Sequence, residues 1–435
     1  MNHSPLCATV AAILFLSSAA HGEEWPGWRG ATGQGISTET DLPLTWGVKD
    51  QHNILWKAAL PGAADKALLD QNQSSPIVIK RRVVVMNSFW PAATAPKDRE
   101  KSQPEHHVAA FDIDNGKPLW DVTVKPGPWK FGDLRGGYTC STPASDGERI
   151  YVFFGSSVVA ALDLDGKEVW RQEIRPYNFD VAISASPVIY GDTILLQCDQ
   201  GNKDSQFIAL DRKTGEIKWR QPRRDVNFSH STPVLVRINN QDQLLVGASN
   251  AIQGVDPADG KVLWSCKAQC DTGSPVFHKG IVYCDTGRGG PGTAVDPTGS
   301  GEVTKTHLKW TLKSVPGGFS SPVCTGEFLI RLTDPGVLRC WKLDSGEKVY
   351  EERLQGAATG VSPITTADGR IYIASAGKSF VIRAGAKPEI LGRSDLGDES
   401  NASPAVTDGK LILKGKLGLY CIGSKKTPKP RGAGF

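Results

Sequence analysis

The sequence predicts an all-β protein, an eight-bladed β-propeller of four-stranded antiparallel blades, and three observations carry that prediction. Between residues 75 and 404, Ser-Pro or Thr-Pro dipeptides recur eight times, with their prolines at Pro76, Pro143, Pro187, Pro233, Pro275, Pro322, Pro363 and Pro404. The spacings are 67, 44, 46, 42, 47, 41 and 41 residues, and a repeat of about 40–50 residues holding four short strands has the size of a propeller blade. A turn rich in Asp, Gly and Lys, followed by Trp, recurs at 112–120, 163–170, 211–219, 256–264 and, with an insertion, 296–310. Finally, the eighth repeat has no outer strand of its own, and residues 53–60 (NILWKAAL) near the N terminus have the form of the missing one.

The segments follow in chain order. Residues 11–20 (AAILFLSSAA) are apolar but too short to span a bilayer, and Ala20-His21-Gly22 puts small residues where a signal peptidase reads them. Residues 1–22 are therefore expected to be a signal peptide cleaved after Gly22, which implies a secreted or periplasmic protein with no transmembrane segment. Cys7 precedes the apolar run and is not placed as a lipoprotein cysteine. Residues 23–52 are expected to form a strap against the ring, and 53–424 the propeller, closed when 53–60 completes the last blade and removes its open edge. In the second repeat, 143–145 open strand A, 149–154 (RIYVFF) form strand B, 158–162 (VVAAL) strand C and 168–174 (EVWRQEI) strand D. Asp and Gly fill the turns, where left-handed backbone or side-chain capping is needed, and β-branched and aromatic residues fill the strands. Trp56, Trp120, Trp170, Trp219, Trp264 and Trp310 share one outer-strand position, with Tyr350 in their place in the sixth repeat. Each is expected to lie over the neighbouring blade with its indole N–H on a backbone carbonyl. Residues 425–435 form a basic tail.

The formal charge is +4, matched by Lys425, Lys426, Lys429 and Arg431 in the tail. The folded body is then near neutral, which gives no broad basic face for nucleic acid. Of nine cysteines, Cys198, Cys284, Cys324, Cys340 and Cys421 sit in apolar strand runs and read as small buried hydrophobes. Cys266 and Cys270 lie in a blade-to-blade loop and are the disulfide candidate. No metal site is expected: this pair offers two ligands at an unusual spacing, and adjacent His106 and His107 point apart.

In such a blade the A–B and C–D loops lie on one face, and the B–C and D–A loops on the other. The first set is short and repetitive; the second carries the variation, so a ligand site is expected there. Two long insertions flank strands of the first blade. Their residues Trp90, Trp129, Phe131, Arg135 and Tyr138 are expected to form a raised aromatic and basic wall of interface anchors. Other loops of that face add Asn178, Phe179, Asp180, His230, Asp271, Arg288 and Phe319. The stretch 285–292 (DTGRGGPG) has a phosphate-loop composition but leads into a strand rather than a helix, so it reads as an ordinary Gly-rich loop.

The wording at 109–120 and 209–219 resembles the tryptophan-docking repeat of the pyrroloquinoline-quinone (PQQ) propeller superfamily, over roughly residues 53–424. Trp25-Pro26-Gly27-Trp28-Arg29-Gly30, with Leu42-Pro43 and Trp46, is similar to the leader of secreted PQQ-like propellers of planctomycete-type bacteria. The resemblance implies two function classes. Quinoprotein alcohol dehydrogenases carry adjacent cysteines below the cofactor, whereas here no two cysteines adjoin and there is no Cys-x-x-Cys-His for haem. The propeller of the outer-membrane β-barrel assembly machinery is non-catalytic and binds partner proteins. The expectation is a non-catalytic binding or scaffold propeller, a monomeric ring without a cofactor, engaging a protein, carbohydrate or other extracellular small molecule. The alternative is a PQQ- and calcium-dependent dehydrogenase using Asp180 and Asp271.

Overall fold

The computed structural model describes residues 23–131, 133–174, 183–201, 203–358, 360–375, 377–399 and 402–424. The expected signal peptide, the basic tail and Asn178, Phe179 and Asp180 lie outside them. The strands form eight separate antiparallel sheets, each a blade of four strands from the axis outward, one of which gains a fifth at its edge. Blade 1 is Ile77–Ile79, Arg82–Phe89, Glu105–Asp112 and Pro118–Val124. Blade 8 is Ala405–Thr407, Lys410–Lys414, Gly418–Gly423 and, from the other end of the chain, Ile54–Ala59. Ile54–Ala59 pairs antiparallel with Gly418–Gly423, Trp56 opposite Cys421, so the ring closes as the sequence predicts.

The strand sequences follow from their depth. Middle strands are covered on both faces by neighbouring blades, and read as continuous apolar runs such as RIYVFF at Arg149–Phe154 and VVAALD at Val158–Asp163. Outer strands meet solvent on one face, and alternate, as in IKWRQP at Ile217–Pro222.

The Ser/Thr-Pro dipeptides start the innermost strands, and their hydroxyls serve a purpose that spacing does not reveal. The backbone N–H of Ser75 donates to the hydroxyl of Thr142, Thr142 to Ser186, Ser186 to Thr232, and Thr232 to Ser274, at 2.8–3.0 Å. Ser274 continues to Ser321, Ser321 to Ser362, Ser362 to Ser403, and Ser403 back to Ser75, at 2.9–3.1 Å. Eight blades are thus joined around the axis by one closed cycle of bonds, all running in the same sense.

At the periphery, the indole N–H of Trp56, Trp120, Trp170 and Trp310 donates to the carbonyl of Ile113, Leu164, Arg212 and Leu343 in the next blade, at 2.8–3.0 Å. Each ring lies on the glycine of that blade's turn. At Gly116 and Gly215 the backbone is left-handed (φ +70° and +78°), and a Cβ would meet the ring of Trp56 or Trp170 at 2.5 Å; turn conformation and close approach both require glycine there. Trp219 lies in the same way against Gly260. Trp264 departs from the expectation. The insertion before Trp310 supplies Gly301–Glu302, which pairs parallel with the outer strand Val262–Lys267. Covered by this fifth strand, Trp264 turns into its own blade over Gly254, and its N–H donates to Gln243 Oε1 at 2.9 Å.

The cysteine pairing also differs from the expectation. Cys270 is bonded to Cys284 (Cα–Cα 5.8 Å), while Cys266 is free and buried. Cys266 is still within the outer strand Val262–Lys267, whereas the following turn carries Cys270 inward to the second strand of the next blade, Ile281–Asp285. Gly247, with no side chain, gives both sulfurs room.

Residues 25–39 cross the channel on the A–B face. Trp25 bridges Val78 in blade 1, the carbonyl of Pro26 accepts from Ser145 in blade 2, and Gln34 accepts from Phe277 in blade 5. Ile36 bridges Thr365 in blade 7, and Glu39 accepts from Gly409 in blade 8. Arg29 rises from this segment along the axis, fully buried, and donates from Nη2 to the carbonyls of Pro322 (2.6 Å) and Pro363 (3.3 Å). The channel is therefore stopped on that side.

His106 and His107 face opposite sides of their sheet. His106 is buried between Ser88 and Ser156 (3.2 and 2.8 Å) and stacks on Phe154, while His107 meets Asp121 at 2.9 Å. Burial pushes the His106 pKa from 6.5 down to about 3. Its contribution to stability is thus complete above pH 6.5 and is lost as the pH falls from 6.5 to 3, where the unfolded state takes up a proton that the native state refuses. Burial pushes Asp70 the other way, from 3.8 up to about 6, so that it opposes part of this loss. Thermal melts between pH 7 and 4 should show a smaller fall on acidification for His106→Gln than for the natural protein; equal falls would refute the assignment.

Candidate functional site

A cavity of about 510 Å³ opens on the axis at the B–C/D–A face. Six hydroxyls of the axial cycle line it, those of Ser75, Thr232, Ser274, Ser321, Ser362 and Ser403. Trp28 of the crossing segment, Arg135, His230, Arg288 and Phe319 complete its walls. None of the described lining residues carries a carboxylate. Four of the residues expected from the sequence, Arg135, His230, Arg288 and Phe319, are thus brought to one cavity from four different loops.

Each is held from behind. Arg288 pairs with Asp271 at 3.1 Å, donates to Thr272 Oγ1 and lies over the Phe228 ring at 5.1 Å. His230 is fixed by its backbone N–H on the Asp271 carbonyl and by Ser184 on its own carbonyl. Arg135 grips Asp133 through Nε at 2.7 Å with its side chain largely exposed, and its carbonyl accepts from Gln73. Phe319, 59% exposed with a φ of +52°, is held at the mouth by its N–H on the Gly287 carbonyl.

The raised aromatic wall is corrected by the structure. Trp90, Phe131 and Tyr138 are buried, and Trp129 is half-buried. The Phe131 and Tyr138 rings pack at 4.8 Å, and the edge of Trp90 meets Tyr138 at 6.2 Å. Together with Phe153 and Ile174 they form a common core. Two insertions this long bury their aromatics against each other, leaving Arg135, Gly136 and Cys140 as their contribution to the cavity. Asp271 lies behind Arg288, not on the cavity wall.

Two charged residues, Arg331 and Lys414, were not singled out by sequence reasoning. Asp285 and Arg331 form a fully buried pair at 2.8 Å between blades 5 and 6, beneath the Gly-rich loop that carries Arg288. Lys414 is buried behind the cavity wall, donating to the carbonyls of Asn72 and Ser74 at 2.9 and 3.0 Å, and burial brings its pKa down to about 7. The signal for both cations was present: each interrupts an otherwise apolar strand run. Among the described residues no cluster of three or more His, Cys, Asp or Glu is arranged to hold a metal. No described helix is long and apolar enough to cross a membrane.

A family model described as outer membrane protein assembly factor BamB matches residues 104–349, more than half of the chain. The chain belongs to the BamB family. The BamB structure from Moraxella catarrhalis superposes with a TM-score of 0.56 over 86% of this chain and 98% of that one, at 14% identity. The quinohemoprotein alcohol dehydrogenase from Comamonas testosteroni superposes with a TM-score of 0.51 over 93% of this chain and 82% of that one, at 12% identity. At these identities the likeness is one of fold. A curated relative, 1-butanol dehydrogenase (quinone) of Thauera butanivorans, is 29% identical over 203 residues, which are 43% of this chain and 30% of that protein. The BamB-family chain thus spans less than a third of that relative's length.

Proposed function

We propose that this BamB-family propeller is a non-catalytic binding platform of the periplasm or cell exterior. It engages a protein or carbohydrate-type ligand through its B–C/D–A face, with the axial cavity as the seat. The observation that carries this reading is the composition of that cavity: hydroxyls, two arginines, a histidine and an exposed phenylalanine, with no carboxylate on the described lining. Such a surface offers hydrogen bonds and a stacking face, and His230 is the one imidazole on a described lining that holds no carboxylate base.

The dehydrogenase reading draws on the segment similar to 1-butanol dehydrogenase (quinone). PQQ with calcium would need a cation site, which calls for several oxygen ligands with carboxylates among them. Here the charged groups on the cavity wall are arginines and Asp271 is committed to Arg288, so the donor set does not fit calcium and no step is drawn through it. Titration of PQQ and calcium into the purified protein, followed by dye-linked oxidation of alcohols and sugars, distinguishes the two. The expected result is no turnover; turnover above the protein-free control would overturn the platform reading.

A further inference from the structure

Resting on that reading, we infer that the axial cavity is an anion site, and that its ligand is a small hydroxylated carboxylate of the sugar-acid class. The argument begins below the cavity. Arg29 is completely buried against the ring of Trp28, which lines the cavity, and its Nη2 is committed to the carbonyls of Pro322 and Pro363, which follow the lining residues Ser321 and Ser362. Its Nε and Nη1 have no hydrogen-bond partner among the described residues. A buried guanidinium with unpaired N–H groups is expensive, since it has lost its hydration without gaining a counter-charge. Lys414 adds a second buried amine directly behind Gln73, Ser75 and Cys140, which line the opposite wall. Burial lowers the pKa of Arg29 to about 9, which still leaves it charged at neutral pH.

Arg29 therefore places a positive charge below the cavity, and Lys414, with a pKa of about 7, adds a partial one from the side. Arg288 and Arg135 add donors at the mouth. Each of the six lining hydroxyls already accepts a backbone N–H, which leaves its own O–H available as a donor. A carboxylate satisfies the cations, and ligand hydroxyls match the ring of hydroxyls. The exposed face of Phe319 suits the C–H face of a sugar ring. The volume of about 510 Å³ lies within the range of small-ligand pockets and is too small for a folded partner to enter.

The test is calorimetric titration of the full chain with D-glucuronate, D-gluconate and D-glucose. The two acids should bind at least about tenfold more tightly than glucose, as expected for hydrogen bonds to a charged group. Added salt should weaken their binding, and Arg288→Gln should weaken glucuronate by about tenfold. Arg29→Gln should remove most of the preference for the acids; Arg288→Gln, at the exposed mouth, keeps the test alive if the buried variant does not fold. Glucose binding as tightly as glucuronate, or neither acid binding at millimolar concentration, would overturn the inference. Either result leaves the platform reading standing, because that reading falls only to turnover in the dye-linked assay.

Discussion

Arg331→Met should cost about 3–5 kcal/mol of folding stability, the penalty for leaving one member of a buried ion pair without the other. Arg331 donates to Asp285 through Nε and Nη2 at 3.0 and 2.8 Å, and through Nη1 to Ser320 and the Leu332 carbonyl. Asp285 also accepts from Tyr283 and Gly287. Without the guanidinium, its carboxylate remains in the interior with two neutral donors. Arg331→Met combined with Asp285→Leu should recover much of the loss, because an apolar pair of similar volume has no charge to desolvate. Urea denaturation of the natural protein, both single variants and the double variant gives the coupling directly. A single Arg331→Met variant within about 1 kcal/mol of the natural protein would contradict the account.

Deletion of residues 53–60 should abolish the monomeric native state altogether. The strand Ile54–Ala59 supplies the fourth strand of blade 8, and Ile54, Trp56 and Leu60 are buried in the seam with blade 1. Its loss exposes Gly418–Gly423 as an unpaired edge and removes the indole bond from Trp56 to Ile113. An open apolar edge pairs with other chains. Size-exclusion chromatography should show oligomers or aggregate, and thermal melting should lose its cooperative transition; a monomer melting as before would refute the closure.

The fold was legible because each signal is local and repeated. The Ser/Thr-Pro starts, the Asp and Gly of the turns and the alternation of outer strands state the blade eight times over, and NILWKAAL differs from its surroundings enough to be recognised as a displaced copy. The site was legible only as a face. Composition identifies Trp90, Phe131 and Tyr138 as aromatic, but whether a loop aromatic faces water depends on a second loop far along the chain, and here the two insertions bury each other. Trp264 shows the same limit, since its departure is caused by an insertion more than thirty residues later. Cys270 likewise pairs across a blade boundary, with Cys284 in the next blade. Arg29 was read as part of an aromatic leader, and nothing in WPGWRG says that its side chain ascends a channel; Lys414, a cation inside LILKG, could have been noticed from its setting alone.

The closing strand has a consequence in time. It is made near the beginning of the chain, yet its partner Gly418–Gly423 is made near the end. At about 5–20 residues per second, the strand waits roughly 20–70 s for its partner to be synthesised. Through that interval it is a short, apolar, β-prone segment with both edges open. Lys57 sits at its centre, exposed in the finished ring and lying against Tyr420 at 5.1 Å. A lysine in the middle of such a strand disfavours stacking with copies of itself. The residue that decorates the outside of the finished protein therefore guards the nascent chain while it is still being made.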